Sequence, residues 1–273
     1  MARRSAPEIG TAVHAGLAVL HAEGGTVEKA LEVAQAKIAE RAGIESSFED
    51  KSLEESLSII NPLLQGYAEH WESHDDMWAP LSEEIQFLVE VGVRTGVYLR
   101  GRADNLSMMK GGLWLIDYKT AARMDPRDLL KYEMDLQLTA YIYGLSKQLT
   151  ADSLKEGGEP VEVLGAVIDL LVKTKVPQYA REVYTRTPDE LAEFEAEFVE
   201  YGSRIRSAMQ RIKAGEDWKV AFPRNTEHCF RYGTCAFRDL CVKDTPVRRA
   251  AFNARKPDYV DEAYQELAAK KTP

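Results

Sequence analysis

The chain has little cysteine, and what it has is crowded. Its three cysteines, Cys229, Cys235 and Cys241, fall in one C-terminal stretch of a 273-residue sequence. An odd number in one cluster excludes the paired disulfide framework of a small secreted domain and points to a reducing compartment, the cytoplasm. Long apolar runs are missing as well, since none approaches the ~20 residues of a membrane span. The opening MARRSAPEIGTAVHAGLAVL carries two arginines before a mildly apolar run. Glu8, Gly10, His14 and Gly16 interrupt that run, so it does not read as a signal peptide. A G-x-x-x-x-G-K-[ST] loop is also lacking, which excludes an ATP-driven motor in this chain. A net positive charge is lacking: the formal net charge is -9 at pH 7, which argues against indiscriminate coating of nucleic acid. Phe222 to Lys256 is the exception, with eight Lys or Arg against three Asp or Glu, net +5. A nucleic-acid contact is expected to involve that end.

What is present has a clear order. Residues 10–22, 26–41 and 52–72 carry apolar side chains at helical spacing, the second after a Thr26 cap and the third through Pro62. The period then shortens to two in EIQFLVEV, followed by GVYLRGRAD and, past Gly111-Gly112, by LWLIDYKTA, which reads as a three-strand meander. Asp125-Pro126 predicts the start of one long helix to about Leu149. VLGAVIDLLVK and AREVYTR read as two further strands. Thr187-Pro188-Asp189-Glu190 is a capping box that opens a helix to about Lys213. With no internal repeat and no low-complexity linker, this order predicts an α/β (α+β) fold, a central mixed sheet flanked by helices, with a helical N-terminal half. The domain expectation is a core over 1–221 and a basic, cysteine-containing segment over 222–273.

The last strand of the meander holds an anomaly. Leu113, Trp114, Leu115, Ile116 and Tyr118 suit a strand buried on both faces, yet Asp117 and Lys119 sit two apart and so share one face. The triplet alone means little, because Glu49-Asp50-Lys51 and Asp217-Trp218-Lys219 repeat it. Its company is more informative: Asp104 ends the preceding strand in GRAD, and Gln137 and Tyr141 lie four apart on one helical face. Oxygen donors such as Asp104 and Asp117 suit Mg²⁺ or Mn²⁺, and a lysine beside them can stabilise developing negative charge on a phosphate. The plainer readings are a helix histidine at 14, a turn aspartate at 104, a same-face ion pair at 117 and 119, and a core tyrosine at 141. Glu84, at the first strand's start, reads equally as an acidic helper or a solvated strand end.

GTAVH, GRAD, IDYKT and QLTAY, in that order, resemble the motifs of the RecB-like branch of the PD-(D/E)XK nucleases, and the pattern is similar to that of CRISPR-associated RecB-like exonucleases. The resemblance runs from about Gly10 to Cys241. It implies a restriction-endonuclease-like core and a metal-dependent DNA nuclease, an exonuclease of recombination, repair or phage replication. His14, Asp104, Asp117 and the Tyr118 backbone carbonyl would be metal ligands. Asp104, Asp117 and Lys119 would be catalytic, and Gln137 and Tyr141 would contact the DNA. A recombinase, helicase or single-strand-binding protein stays open as a partner. The competing readings are a non-catalytic DNA-binding or assembly subunit of the same fold and a structure- or site-specific endonuclease.

HCFRYGTCAFRDLC spaces its cysteines evenly, with five residues between each and the next. RecB-like nucleases with an iron–sulfur cluster carry three C-terminal cysteines and a fourth upstream, which this sequence lacks. A [4Fe–4S] cluster ordinarily takes four thiolates. The expectation is therefore a cluster or zinc site completed by His228 or another group, an upstream extension that supplies the missing ligand, or three packed thiols.

Overall fold

The computed structural model describes residues 6–44, 50–72, 79–231 and 234–252. It divides into two compact units, Met1–Ser203 and Arg204–Pro273.

The first unit opens with helices α1 (Ala6–His21), α2 (Val27–Ile44) and α3 (Asp50–Trp71). Thr26 caps α2 as expected, its hydroxyl accepting from the Lys29 N–H at 3.3 Å, and α3 runs through Pro62. A five-stranded sheet follows, formed by β1 (Ala79–Glu90), β2 (Tyr98–Met109), β3 (Gly112–Ala121), β4 (Val163–Val172) and β5 (Gln178–Thr185), lying side by side in chain order. β3 and β4 are parallel, and every other neighbouring pair is antiparallel. The sheet is therefore mixed, with helices against it. Parallel neighbours need a crossover, here α4 (Pro126–Leu130) and α5 (Leu136–Lys155) joined by a 3₁₀ turn over residues 131–134.

That crossover corrects the reading of one helix from Asp125 to Leu149. Asp125 does cap α4, accepting from the Arg127 N–H at 3.0 Å. Asp135 is extended, however, with φ -72° and ψ 118°, and its side chain accepts from the Leu138 N–H at 3.0 Å. A second N-cap thus restarts the helix, because a short Asp side chain competes for backbone N–H groups. The capping box holds: the Thr187 N–H donates to Glu190 Oε2 at 2.7 Å, and the Glu190 N–H to Thr187 Oγ1 at 3.2 Å. It opens α6 (Pro188–Lys213).

β3 and β4 are covered on both sides, which explains their near-continuous apolar sequences. On one face Trp114, Ile116, Tyr118, Val167 and Leu171 pack with Ile9, Val13 and Leu17 of α1 and with Leu63, Leu64 and Tyr67 of α3. On the other, Leu115, Ala166 and Ile168 pack with Leu138, Ile142 and Leu145 of α5. Each large apolar side chain buried here contributes about 1.5–3 kcal/mol, so the core fixes where the strand ends point.

Two local devices set the approach to that end of the sheet. The β2–β3 hairpin turns on Lys110 and Gly111, both at positive φ (49° and 78°), with Met109 paired to Gly112. Two consecutive left-handed residues match the twist of a tight hairpin, and glycine adopts that conformation without strain. The second device is Phe87, wedged between two glycines. A Cβ on Gly101 would come within 2.2 Å of its ring, and one on Gly144 within 2.1 Å.

The second unit holds the rest of α6 and short helices α7 (Trp218–Ala221), α8 (Arg238–Val242) and α9 (Pro246–Arg249). Asp217 and Thr245 cap the first and last of these.

Candidate active site

β2 and β3 pair from Met109↔Gly112 to Asn105↔Ile116. One step further, Asp104 and Asp117 stand opposite each other where the strands part. There a side chain takes over from the backbone: the Tyr118 N–H donates to Asp104 Oδ2 at 3.0 Å. Asp104 Oδ1 lies 3.3 Å from Nδ1 of His14, which α1 brings to the gap. In extended backbone a residue's N–H and C=O leave on the same side, so the Tyr118 carbonyl is directed toward Asp104 as well.

A second chain of contacts runs along the other side of β3. Lys119 Nζ lies 2.6 Å from Asp117 Oδ2 and donates to Gln137 Oε1 at 3.0 Å, and Gln137 Nε2 donates to the Tyr141 hydroxyl at 2.9 Å. Gln137 falls in the first turn of α5, a position set by the Asp135 cap. The Tyr141 ring meets Phe87 edge-on, with centroids 5.8 Å apart, so the glycine-flanked wedge also seats this tyrosine. All seven residues singled out for the nuclease site, His14, Asp104, Asp117, Tyr118, Lys119, Gln137 and Tyr141, thus gather at one end of the sheet. The Glu84 side chain lies outside the described residues.

Burial dominates the electrostatics. Asp117 is 2% exposed, and desolvation pushes its carboxyl up to about 6, opposed by the Lys119 ammonium and reinforced by the Asp104 charge. Its Oδ2 is buried against the Lys119 ammonium, which partly offsets that desolvation. A buried carboxylate oxygen of this kind, beside a second carboxylate and an imidazole, fits the hard-oxygen preference of Mg²⁺ or Mn²⁺. Among the described residues no three of His, Cys, Asp and Glu are drawn into a closed metal-binding cluster. Here the donors are paired as His14 with Asp104 and Lys119 with Asp117.

Behind β3, on the α1–α3 face, lies a polar network that sequence reasoning missed. The Tyr67 hydroxyl donates to Asp169 Oδ2 at 2.7 Å and accepts from Arg181 Nη2 at 2.9 Å, while Arg181 Nε donates to the same Asp169 oxygen at 3.0 Å. His21 Nε2 lies 2.9 Å from the Tyr67 hydroxyl. That hydroxyl's one proton already goes to Asp169, so His21 must donate, which fixes its tautomer. Burial, then the Arg181 charge, pulls the His21 pKa down to about 4, and the neutral ring stacks on Tyr118 with centroids 5.9 Å apart. Asp169 pairs across the sheet with Tyr118, so the network braces the residue whose N–H holds Asp104. The available signal was Asp169 itself, a lone acid in the apolar run AVIDLLV; Tyr67 reads as part of an apolar stripe.

In the second unit Cys229, Cys235 and Cys241 are free and half-buried. The Cys235 N–H donates to the Cys229 carbonyl at 2.9 Å, and His228 Nε2 lies 3.2 Å from Arg231 Nη1. Among the described residues the three thiols are not drawn into a cluster, and His228 is engaged by Arg231. Among the described residues no helix is long and apolar enough to cross a membrane.

No curated protein matches the chain. Among solved structures it is similar to a candidate exonuclease from Eubacterium rectale, with 16% identity and a TM-score of 0.47, covering 98% of this chain and 81% of the other. It is also similar to the protein SSO0001, with 16% identity and a TM-score of 0.35, covering 87% and 86%. The model of the PD-(D/E)XK nuclease superfamily matches residues 1–242, nearly the whole described chain and every residue of the site above. The chain belongs to the PD-(D/E)XK nuclease superfamily.

Proposed function

We propose that the protein is a metal-dependent deoxyribonuclease of the RecB-like type, an exonuclease that hydrolyses phosphodiester bonds at the β2–β3 gap in DNA recombination, repair or phage replication in the cytoplasm. The observation that carries this reading is the clamped position of Lys119, between Asp117 at 2.6 Å and Gln137 at 3.0 Å. A lysine so held is an aimed charge, and aimed charges stabilise transition states without reorganising.

Asp104 and Asp117, with His14 and the Tyr118 carbonyl, would hold Mg²⁺ or Mn²⁺, which neutralises phosphate charge and lowers the pKa of water. Lys119 orients the attacking water and offsets the negative charge that grows on the phosphoryl oxygens. Gln137 spends its carbonyl on Lys119 and its amide on Tyr141, which locks its orientation. The Tyr141 hydroxyl accepts from Gln137 and keeps its own proton to donate to the bound strand. His14 and the Tyr118 N–H hold the two oxygens of Asp104 in place. The cysteines of the second unit take no part in this chemistry.

Incubating end-labelled single- and double-stranded DNA with the protein in Mg²⁺, Mn²⁺ or EDTA tests the reading. The expected result is cation-dependent release of short products from an end, and Lys119→Met lowers the rate by about 10²–10³. Cleavage that persists in EDTA, or a Lys119→Met rate within a few-fold of the parent, refutes it.

A further inference from the structure

Burying a cation without a partner is costly, and proteins seldom do it idly. Among the described residues the half-buried lysines and arginines have acceptors: Lys37 has Glu40, Lys119 has Asp117, Arg181 has Asp169, and Arg186 and Arg248 have backbone carbonyls. Lys173 is different. The residue is half-buried, and among the described residues its ammonium has the Thr120 hydroxyl, at 3.5 Å, as its hydrogen-bond acceptor. Among the described residues no carboxylate pairs with it, and desolvation lowers its pKa.

Its place in the fold is informative. Lys173 follows β4, and its N–H extends the parallel ladder to the Ala121 carbonyl at 2.8 Å. Thr120 comes directly after Lys119 but faces α1, the opposite side of the sheet from the Lys119–Gln137 chain. α1 approaches it through Gly10: a Cβ there would lie in ordinary contact with Thr120 Oγ1, at 3.4 Å. Gly10 and His14 are four apart on one helical face. Thr120 and Lys173 therefore lie about one turn, ~5.4 Å, along α1 from the Asp104 gap. A nucleic-acid strand rising about 3.4 Å per nucleotide covers that in one to two nucleotides. Arg123 and Lys175 are exposed just beyond the same strand ends.

We propose that Lys173 and Thr120 form a phosphate-binding subsite that grips the substrate strand one or two nucleotides from the cleaved bond, on the α1 side of the sheet. The inference rests on the nuclease reading and adds a direction to it: the strand passes over the sheet edge, from Gln137 and Tyr141 on the α5 side to Lys173 on the α1 side. The phosphate is either an internal diester or the monoester at a strand end, and the two sources are separable.

Binding is measured by fluorescence anisotropy with labelled single-stranded DNA, in the Asp117→Asn background so that the strand stays intact, at 50 and 200 mM KCl. Each lost phosphate contact removes about 0.7–0.9 from the salt slope. Adding Lys173→Gln should therefore shrink the affinity ratio between the two salt concentrations about threefold, and Lys173→Arg should restore it. In the cleavage assay Lys173→Gln should raise KM about tenfold, the low end for a lost hydrogen bond to a charged group, with a smaller change in kcat. An effect equal on strands ending in phosphate and in hydroxyl assigns an internal diester. An effect present only with a terminal phosphate assigns the strand end. An unchanged salt ratio in a Lys173→Gln protein that melts like its background overturns the subsite while leaving cleavage by the parent intact. Absence of cleavage by the parent with any divalent cation instead overturns the nuclease reading.

Discussion

Replacing Asp117 with asparagine should silence the protein and also make it more stable at neutral pH. The carboxyl has a pKa of about 6 in the folded chain against an ordinary 3.8, chiefly because it is desolvated. The folded state therefore holds this proton more tightly than the unfolded state. The associated stability is fully present below about pH 4 and is lost as the pH rises through 6. A difference of about two pKa units at 1.36 kcal/mol each comes to ~3 kcal/mol. Asparagine is nearly isosteric and cannot ionise, so it avoids that loss. The two proteins should melt within a few degrees of each other at pH 4. At pH 7.5 the variant should melt about 6–12 °C higher, taking ~2–4 °C per kcal/mol for a chain of this size. Scanning calorimetry in EDTA at both pH values reads the difference. If the variant melts lower than the parent at pH 7.5, or its advantage is the same at both pH values, Asp117 is not a destabilised charge and the reasoning fails.

Arg181→Met strips the buried Asp169 of its cation and should lower the unfolding free energy by about 3–5 kcal/mol; a urea titration showing a loss under 1 kcal/mol would mean that the network bracing Tyr118 is dispensable. Gly144→Ala places a Cβ 2.1 Å from the Phe87 ring and should cost about 1–3 kcal/mol by overpacking, with a fall in cleavage rate because Tyr141 rests on that ring. A thermal melt and rate unchanged from the parent would show that the wedge yields freely.

Much of this arrangement is legible in the sequence where geometry is local. Asp117 and Lys119 share a strand face by period two, Gln137 and Tyr141 share a helix face by period 3.6, and each pairing needs no knowledge of the rest of the fold. Thr187 and Glu190 announce their helix because both halves of the capping box lie within one turn. The break at Asp135 was hidden because a helical apolar pattern continues through it and only cap geometry distinguishes the two helices. Tyr67, Asp169 and Arg181 were hidden for the opposite reason: the Tyr67–Asp169 bond spans 102 positions, and no pattern within a strand or helix relates its ends. Lys173 shows no signal at all in sequence, since only burial separates it from an ordinary surface lysine.

The Lys110–Gly111 turn acts as a ruler for the chemistry. Hairpin register is counted outward from the turn, so the five pairs from Met109↔Gly112 to Asn105↔Ile116 fix which residues stand opposite each other at the gap. One residue added to the turn would slide β2 by one step along β3 and rotate Asp104 to the far face of the sheet, away from Asp117, with every side chain in the site unchanged. The distance between the two carboxylates is thus specified by the length of a solvent-facing loop that never touches them.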